Sequence, residues 1–354
     1  MKDHRFPYKW NLKDANFTKD KGKVFSCFAC GGGSTMGYKL AGYDVIGMNE
    51  IDKKMAESYI TNHKPKYSFI EDIRTFKKHK DLPDKLYQLD ILDGSPPCSS
   101  FSMSGNREKD WGKEKKFKEG QTKQTLDDLF FDFINLAKKL QPKIVVAENV
   151  KGILIGDAIK YVREIYKQFD EAGYYCQHWL LDASKMGVPQ RRERVFFICL
   201  RKDLAELFLY QKDLFQKQPL LKLEFNENFI LFNEIDQLNK IKRLSITGVY
   251  AKRIFEESDN NSGRAMSSTS NNTIGHYFRV VQNKVLPTIK ATQRHFYHSN
   301  YEWLSDIEIS LASSYPIDYN FTDNDCNYLC GMSVPPVMIA QIASNIYEQW
   351  LSKL

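Results

Sequence analysis

Cys98 follows two prolines in the run Asp93-Gly94-Ser95-Pro96-Pro97-Cys98-Ser99-Ser100-Phe101-Ser102. A thiol attacks as its thiolate, and it does so best where the backbone presents the sulfur in one place. Two prolines supply that stiffness, since each fixes φ and neither donates to a sheet. The apolar residues 89–92 just ahead read as a short buried strand. A thiol at the carboxyl end of such a strand stands where α/β sheets hold their ligands. Two further groups could serve the same chemistry. Glu148-Asn149 follows the apolar run 144–147, and a carboxyl there could move a proton. Gln190-Arg191-Arg192-Glu193-Arg194 follows Gly187-Val188-Pro189, and a guanidinium there could steady a growing negative charge. Taken singly, each has an ordinary alternative: a buried structural cysteine, a solvated acid at a strand end, a surface charge run.

The elements that must position these groups alternate. Residues 24–29 read as a first strand and Gly31-Gly32-Gly33 as a turn, followed by a helix through Met36, Leu40 and Ala41. A glycine turn lets backbone approach a ligand, and a helix start offers free N–H groups. Residues 43–48 form a second strand ending in Asn49-Glu50-Ile51-Asp52. An acid about 20 positions after a glycine turn is placed for a ribose diol, which suggests an adenosine-containing cofactor. A third strand, 67–70, ends in Glu71-Asp72. A helix is expected over 126–140, a strand at 144–147, a helix at 157–172 and strands at 174–181 and 194–200. Residues 106–124, lysine-rich and polar, read as a loop beside the thiol. The alternation predicts an α/β fold with a doubly wound, largely parallel sheet.

After Arg201 the pattern loosens, which predicts a smaller, mostly β or irregular domain. Its Lys240, Lys242, Arg243, Lys252, Arg253, Arg264 and Arg279 could meet phosphates. The tail 335–354 is apolar at helical spacing and is expected to pack back on the sheet. The expected boundaries are an N-terminal extension at 1–21, a catalytic domain at 22–203 with 318–354, and a recognition domain at 204–317.

Composition sets few limits. The chain has 354 residues, enough for one large domain or a large and a small one. A net charge of +7 permits a nucleic-acid partner without requiring one. Seven cysteines, an odd number, read as reduced thiols rather than a disulfide framework. Cys27, Cys30, Cys326 and Cys330 have spacings a zinc site could use, but structural cysteines are the favoured reading and no metal is expected. No apolar run approaches transmembrane length, and a cytoplasmic protein is expected.

With these residues in order, the chain resembles the DNA (cytosine-5) methyltransferases of prokaryotic type. The likeness runs from about Lys23 to the C-terminus. It rests on Phe28-Ala29 with Gly31-Gly32-Gly33, Glu50, Asp72-Ile73, Pro96-Pro97-Cys98, Glu148-Asn149-Val150, Gln190 with Arg192 and Arg194, Pro287-Thr288-Ile289, and Gly331-Met332-Ser333-Val334. The family often has an acid where Ser26 stands, a glycine at Cys30, an asparagine at Met332 and a glutamine at Ser99.

The resemblance implies a Rossmann-like methyltransferase sheet with a target-recognition domain. It implies S-adenosylmethionine as cofactor, held by Phe28, Ala29, Gly31, Gly32, Gly33, Glu50, Ile51, Asp72, Ile73, Ser95, Pro97, Ser333 and Val334. It implies Cys98 as the nucleophile on carbon-6 of a flipped cytosine, with Glu148 near ring nitrogen-3, Arg192 at the ring carbonyl and Arg194 positioning the loop. Gln190, Ser99, Ser100, Arg279 and Thr288 would face double-stranded DNA. A monomer is expected, with a cognate restriction endonuclease as genetic partner. Three rivals stand beside this reading: the same chemistry on tRNA, a non-catalytic DNA-binding subunit, and an NAD dehydrogenase. The last explains neither Cys98 nor Glu148-Asn149-Val150, and its Gly-x-Gly-x-x-Gly pattern is absent.

Overall fold

The computed structural model describes residues 4–97, 128–156, 158–209, 219–237, 245, 278–291, 296–298 and 302–354. Its centre is a seven-stranded sheet. The chain enters through β1 (Lys23–Cys27), α1 (Gly33–Leu40), β2 (Asp44–Asn49), α2 (Lys53–His63), β3 (Tyr67–Phe69) and α3 (Ile73–Phe76). It crosses back to β4 (Ile91–Gly94), then runs through α4 (Leu129–Leu140), β5 (Ile144–Val150), α5 (Ala158–Glu171), β6 (Tyr174–Asp182) and β7 (Glu193–Arg201). The spatial order is β3-β2-β1-β4-β5-β7-β6. Strands β1 to β5 are parallel, and β7 runs antiparallel between β5 and β6. The doubly wound, largely parallel sheet read from the alternation is therefore present.

The strands are apolar runs because helices cover both faces. In β7, Val195 to Leu200 are all buried. One face packs α4 and α5 against Phe25, Leu92, Val145 and Phe197. Helix α5 shows why it forms: Tyr161, Val162, Ile165 and Phe169 fall on one stripe and are buried. The other face carries α1 and the C-terminal helix α10, introduced below, over Val24, Ile91, Val146 and Ile198.

Beyond β7 come α6 (Glu206–Leu209), α7 (Phe232–Ile235), β8 (Phe278–Arg279), β9 (Phe296–His298), β10 (Glu302–Trp303), α8 (Asp306–Ala312), α9 (Cys326–Met332) and α10 (Pro336–Gln349). Strands β8 to β10 make a small second sheet. Ser305 and Glu308 close the start of α8 with a reciprocal capping box. Pro336 opens α10, where a missing N–H costs nothing. The stretch Cys326–Lys353 contains an 18-residue window apolar enough to cross a membrane, with mean hydropathy 1.3, but 89% of that window is buried inside the protein. That burial is what a core helix shows.

Two details differ from the sequence expectation. Strand β5 does not stop at Ala147: Glu148, Asn149 and Val150 stay in the sheet because β7 continues to pair with them. The segment expected as an extension is packed down from its first described residues. Trp10 is buried and donates its indole N–H to the Ser314 carbonyl at 3.0 Å, and Asp318 accepts from the Leu12 and Lys13 amides. The six cysteines among the described residues are free thiols, and no group of metal-binding side chains assembles among those residues.

Candidate active site

Strands β2 and β3 are laid down to one side of β1, and β4 and β5 to the other. The order of the sheet reverses there, and a crevice opens beyond the carboxyl ends of the strands. It holds about 770 Å³ of free space, part of it open to solvent. Its lining includes Phe28 and Cys30 after β1, Asn49, Glu50 and Ile51 after β2, Glu71, Asp72 and Ile73 after β3, and Ser95 and Pro97 after β4. Met55, Leu129, Tyr328 and Met332 are the other described residues that line it.

The turn after β1 is held in an unusual backbone. Phe28 and Cys30 have φ of 51° and 46°, and Gly32 has φ of 84°. Such values disfavour side chains, so other contacts must hold the loop. Glu50 supplies them: its Oε2 accepts the Cys30 N–H at 2.8 Å and its Oε1 accepts the Asp52 N–H at 2.9 Å. Burial pushes the Glu50 carboxyl upward against those two hydrogen bonds. Asp72 caps α3, accepting from the Arg74 amide at 2.7 Å. Asn49 ties the end of β2 to the carbonyls of Phe69 and Glu71.

The glycines are needed for closeness behind the loop. A Cβ on Gly32 would meet the His63 ring at 2.3 Å, and one on Gly33 would meet the Val334 carbonyl at 2.3 Å. Of the expected cofactor residues, Phe28, Glu50, Ile51, Asp72, Ile73, Ser95 and Pro97 line the crevice. Ala29, Gly31, Gly32, Gly33, Ser333 and Val334 are not in its lining. Ser333 and Val334 are buried behind the turn, where the Ser333 hydroxyl donates to the Leu329 carbonyl. They support the loop from the far side.

Among the described residues the lining carries three carboxylates and no lysine or arginine. A diphosphate would be repelled there, which argues against a dinucleotide. A ligand with a ribose diol, an exocyclic amine and a positive charge suits the same walls. The residues present therefore fit an adenosine cofactor with a cationic sulfur.

Beside the crevice stands a second cluster. Glu148 and Arg194 face each other diagonally across β5 and β7, with Arg194 Nε donating to Glu148 Oε1 at 2.9 Å. Their side chains retain 12% and 15% exposure, so the pair is largely dry yet reachable. Asn149 donates to the Pro96 carbonyl at 3.3 Å and accepts from the Val150 amide. It thereby fixes the proline turn relative to Glu148. Cys98, Ser99 and Ser100 lie outside the described residues, as does the loop expected at 106–124.

Arg192 and Gln190 are placed otherwise than expected. Arg192 is 1% exposed, and it donates to the Ile289 carbonyl at 3.0 Å and the Gly331 carbonyl at 2.8 Å. Burial, then Arg194, pulls its pKa down to about 9, which leaves it charged at neutral pH. Gln190 is fully buried. Its Nε2 donates to the Ala312 carbonyl and its Oε1 accepts from the Ile289 amide at 3.0 Å. It joins segments of the chain instead of presenting itself to DNA. Thr288 is half-buried and donates to the Arg191 carbonyl at 2.6 Å. Arg279 lies on β8 opposite Tyr297. Lys240, Lys242, Arg243, Lys252, Arg253 and Arg264 lie outside the described residues.

The sequence reading missed several lining residues. Cys30 and Met332 stood out only as departures from a pattern, and nothing local to Met55, Leu129 or Tyr328 signalled a crevice. Asn149 was visible in a motif, but not its bond to Pro96.

Known proteins resemble this chain in sequence and in fold. Residues 22–348 match the family model described as C-5 cytosine-specific DNA methylase. The chain is 38% identical over 182 residues to the type II methyltransferase M.FnuDI of Fusobacterium nucleatum, covering 51% of this chain and 48% of that protein. It is 36% identical over 195 residues to M.NgoPII of Neisseria gonorrhoeae, covering 54% and 51%. The matches thus span about half the length of these relatives. M.Bsp6I of Bacillus sp. is 27% identical over 349 residues, 93% of this chain and 99% of that one. Among solved structures, a Spodoptera frugiperda DNMT2 mutant superposes with a TM-score of 0.63 at 15% identity, covering 92% of this chain and 99% of that chain. The S. pombe Dnmt2 methyltransferase gives 0.56 at 15% identity, covering 93% of this chain and 98% of that one. Those two likenesses bear on the fold alone. On the match of the family model along most of its length, the chain belongs to the C-5 cytosine-specific DNA methylase family.

Proposed function

We propose that this chain transfers a methyl group from S-adenosylmethionine to carbon-5 of a flipped cytosine at a specific sequence in duplex DNA. The observation that carries the reading is a meeting of parts: the turn leading to Cys98 is tied by Asn149 to the Glu148–Arg194 pair, beside an acid-lined crevice.

Glu50 would hold the ribose diol and Asp72 the adenine amine, with Phe28, Ile51 and Ile73 against the rings. When bound, the cofactor supplies a methyl group made electrophilic by its sulfonium. The chain's own residues prepare the acceptor. The Cys98 thiolate adds to carbon-6 of the ring, and the electron pair moves toward nitrogen-3 and the ring carbonyl. Glu148 gives a proton to nitrogen-3, which makes carbon-5 nucleophilic. Arg194 orients the Glu148 carboxyl and stands where developing charge can be met. Arg192, bound to two backbone carbonyls, holds the floor of the site together. The roles expected of the two arginines are thus exchanged in this proposal. Loss of the carbon-5 proton then expels the thiolate.

The small domain, with Thr288 and Arg279, would approach the DNA, and Gln190 would support it from beneath. The relatives are named type II methyltransferases; the matching role for this chain is modification of DNA in the cytoplasm, with a restriction endonuclease of matching specificity as its genetic partner. A monomer acting transiently on DNA is the simplest form.

The test is transfer of labelled methyl from S-adenosylmethionine to mixed-sequence duplex DNA and, in parallel, to tRNA. Label recovered from DNA as 5-methylcytosine supports the proposal. Label in tRNA alone, or in neither, sinks it.

A further inference from the structure

Ser26 on β1 and Asp93 on β4 are register partners in the middle of the sheet. Both are buried, at 1% and 3% exposure. The Ser26 hydroxyl donates to Asp93 Oδ2 at 2.9 Å and the Tyr38 hydroxyl to Oδ1 at 3.2 Å. The Ser34 side chain on α1 bonds to the same carboxyl. Among the described residues no lysine or arginine forms an ion pair with it. A central parallel strand is normally apolar on both faces, and a buried carboxyl without a cation is costly. Burial, with the Glu148 carboxylate adding to it, pushes its pKa to about 7 despite three hydroxyl donors. Stability gives no reason to keep it.

Its position gives one. Tyr38 and Ser34 belong to α1, whose N-cap is Gly32 of the glycine turn. Past Asp93, β4 runs into Ser95 and Pro97 of the crevice wall and then to Cys98. The carboxyl therefore clasps the helix that begins at the cofactor turn to the strand that leads to the nucleophile. The chain also lacks an acid at Ser26, where the family pattern often has one. The hydroxyl that stands there instead reaches the acid across the strand pair.

We propose that Asp93 is a positioning residue for the cofactor turn, delivering from β4 the carboxylate that an acid at position 26 would deliver from β1. This rests on the reading of the crevice as the S-adenosylmethionine site. The groups facing Asp93 are Ser26 and Cys27 on β1, Ser34 and Tyr38 on α1, Tyr59 on α2 and Glu148 on β5. Burial raises the Cys27 thiol and the Tyr38 and Tyr59 hydroxyls, so these stay neutral, and Glu148 is paired with Arg194. Asp93 is left to change charge near neutrality, and its charged form makes the stronger bonds to the hydroxyls of α1.

The experiment is calorimetric binding of S-adenosylhomocysteine to the full chain, with urea unfolding in parallel, either side of the Asp93 pKa of about 7. The proteins are the wild type, Asp93→Asn, and the exchange Ser26→Asp with Asp93→Ser. Above that pKa, Asp93→Asn is expected to bind about tenfold more weakly while unfolding at no lower urea, because it removes a buried carboxyl. The exchange protein is expected to recover to within about threefold of wild type. Wild-type affinity falls as the pH drops through the pKa, and Asp93→Asn loses that dependence. Binding by Asp93→Asn within about twofold of wild type overturns the proposal, as does a folded exchange protein that binds no better than Asp93→Asn. A clear loss of stability in Asp93→Asn would make the residue a structural tie and also overturn it. If wild type itself binds nothing, the cofactor reading fails and this role falls with it.

Discussion

Arg192 and Arg194 are two residues apart and carry the same side chain, but they meet different surroundings. Arg192 is closed in by Ile289 and Gly331, whose carbonyls take two of its N–H donors. Arg194 turns toward Glu148 and keeps some exposure. The partners of Arg192 arrive from distant segments of the chain. The partner of Arg194 is a titratable acid at the mouth of the site. One guanidinium serves cohesion and the other is available to chemistry. A pattern of residue types cannot separate them, because the pattern does not record what each side chain touches.

The contrast can be broken most directly at Arg194. Arg194→Ala is expected to lower methyl transfer about 10²–10³-fold, while S-adenosylhomocysteine binding stays within about threefold of wild type. Rates and binding measured on the same preparation would show it; equal losses in both would place Arg194 with the structural group. Arg192→Met should behave in the opposite way. Two buried carbonyls lose a charged donor, so urea unfolding should report a loss of about 3 kcal/mol. A stable but inactive Arg192→Met protein would return the catalytic role to that residue.

Gln190→Ala sharpens the same comparison at lower cost. It strands the Ile289 amide and leaves the Ala312 carbonyl without its partner, for a loss of about 2 kcal/mol in denaturant unfolding. If Gln190 read bases instead, stability would hold and sequence selectivity of methylation would relax. Asp93 gives a pH signature. Its pKa rises from 3.8 to about 7 on folding. Between those limits the folded state keeps a proton that the unfolded state releases, so stability falls as pH rises through the window and levels off above it. Asp93→Asn should flatten that slope, which melting curves across the range would reveal. The smallest effect is expected at Cys30. Its φ of 46° favours glycine, and Cys30→Gly should change stability by no more than about 1 kcal/mol, strain relief opposing the lost contact of its sulfur with Met55.

Most of the sheet was legible because parallel strands under helices are continuous apolar runs. The runs 24–29, 43–48 and 144–147 declared themselves that way. Glu50 and Asp72 were legible because crevices of this fold lie at strand ends, and both residues follow strands. What could not be read depends on long-range meetings. Gln190 and Arg192 find partners near residues 289, 312 and 331, so their burial had no local signal. The extension of β5 through Val150 follows from its pairing with β7. Asp93 looked like a polar residue closing a strand, and only the register with Ser26 placed it inside the sheet. The packing of Trp10 under Ser314 was hidden for the same reason.

The central claim is attack by Cys98 on a cytosine, and a trapped adduct tests it most directly. Duplex DNA carrying 5-fluorocytosine has fluorine where the departing proton should be, so elimination cannot release the thiolate. Incubated with S-adenosylmethionine, the wild type is predicted to form a denaturant-stable complex, and mass spectrometry of the digested complex should place the methylated base on the Cys98 peptide. Cys98→Ser should form none. Trapping by Cys98→Ser, attachment at another residue, or methylation of ordinary DNA by Cys98→Ser would contradict the account.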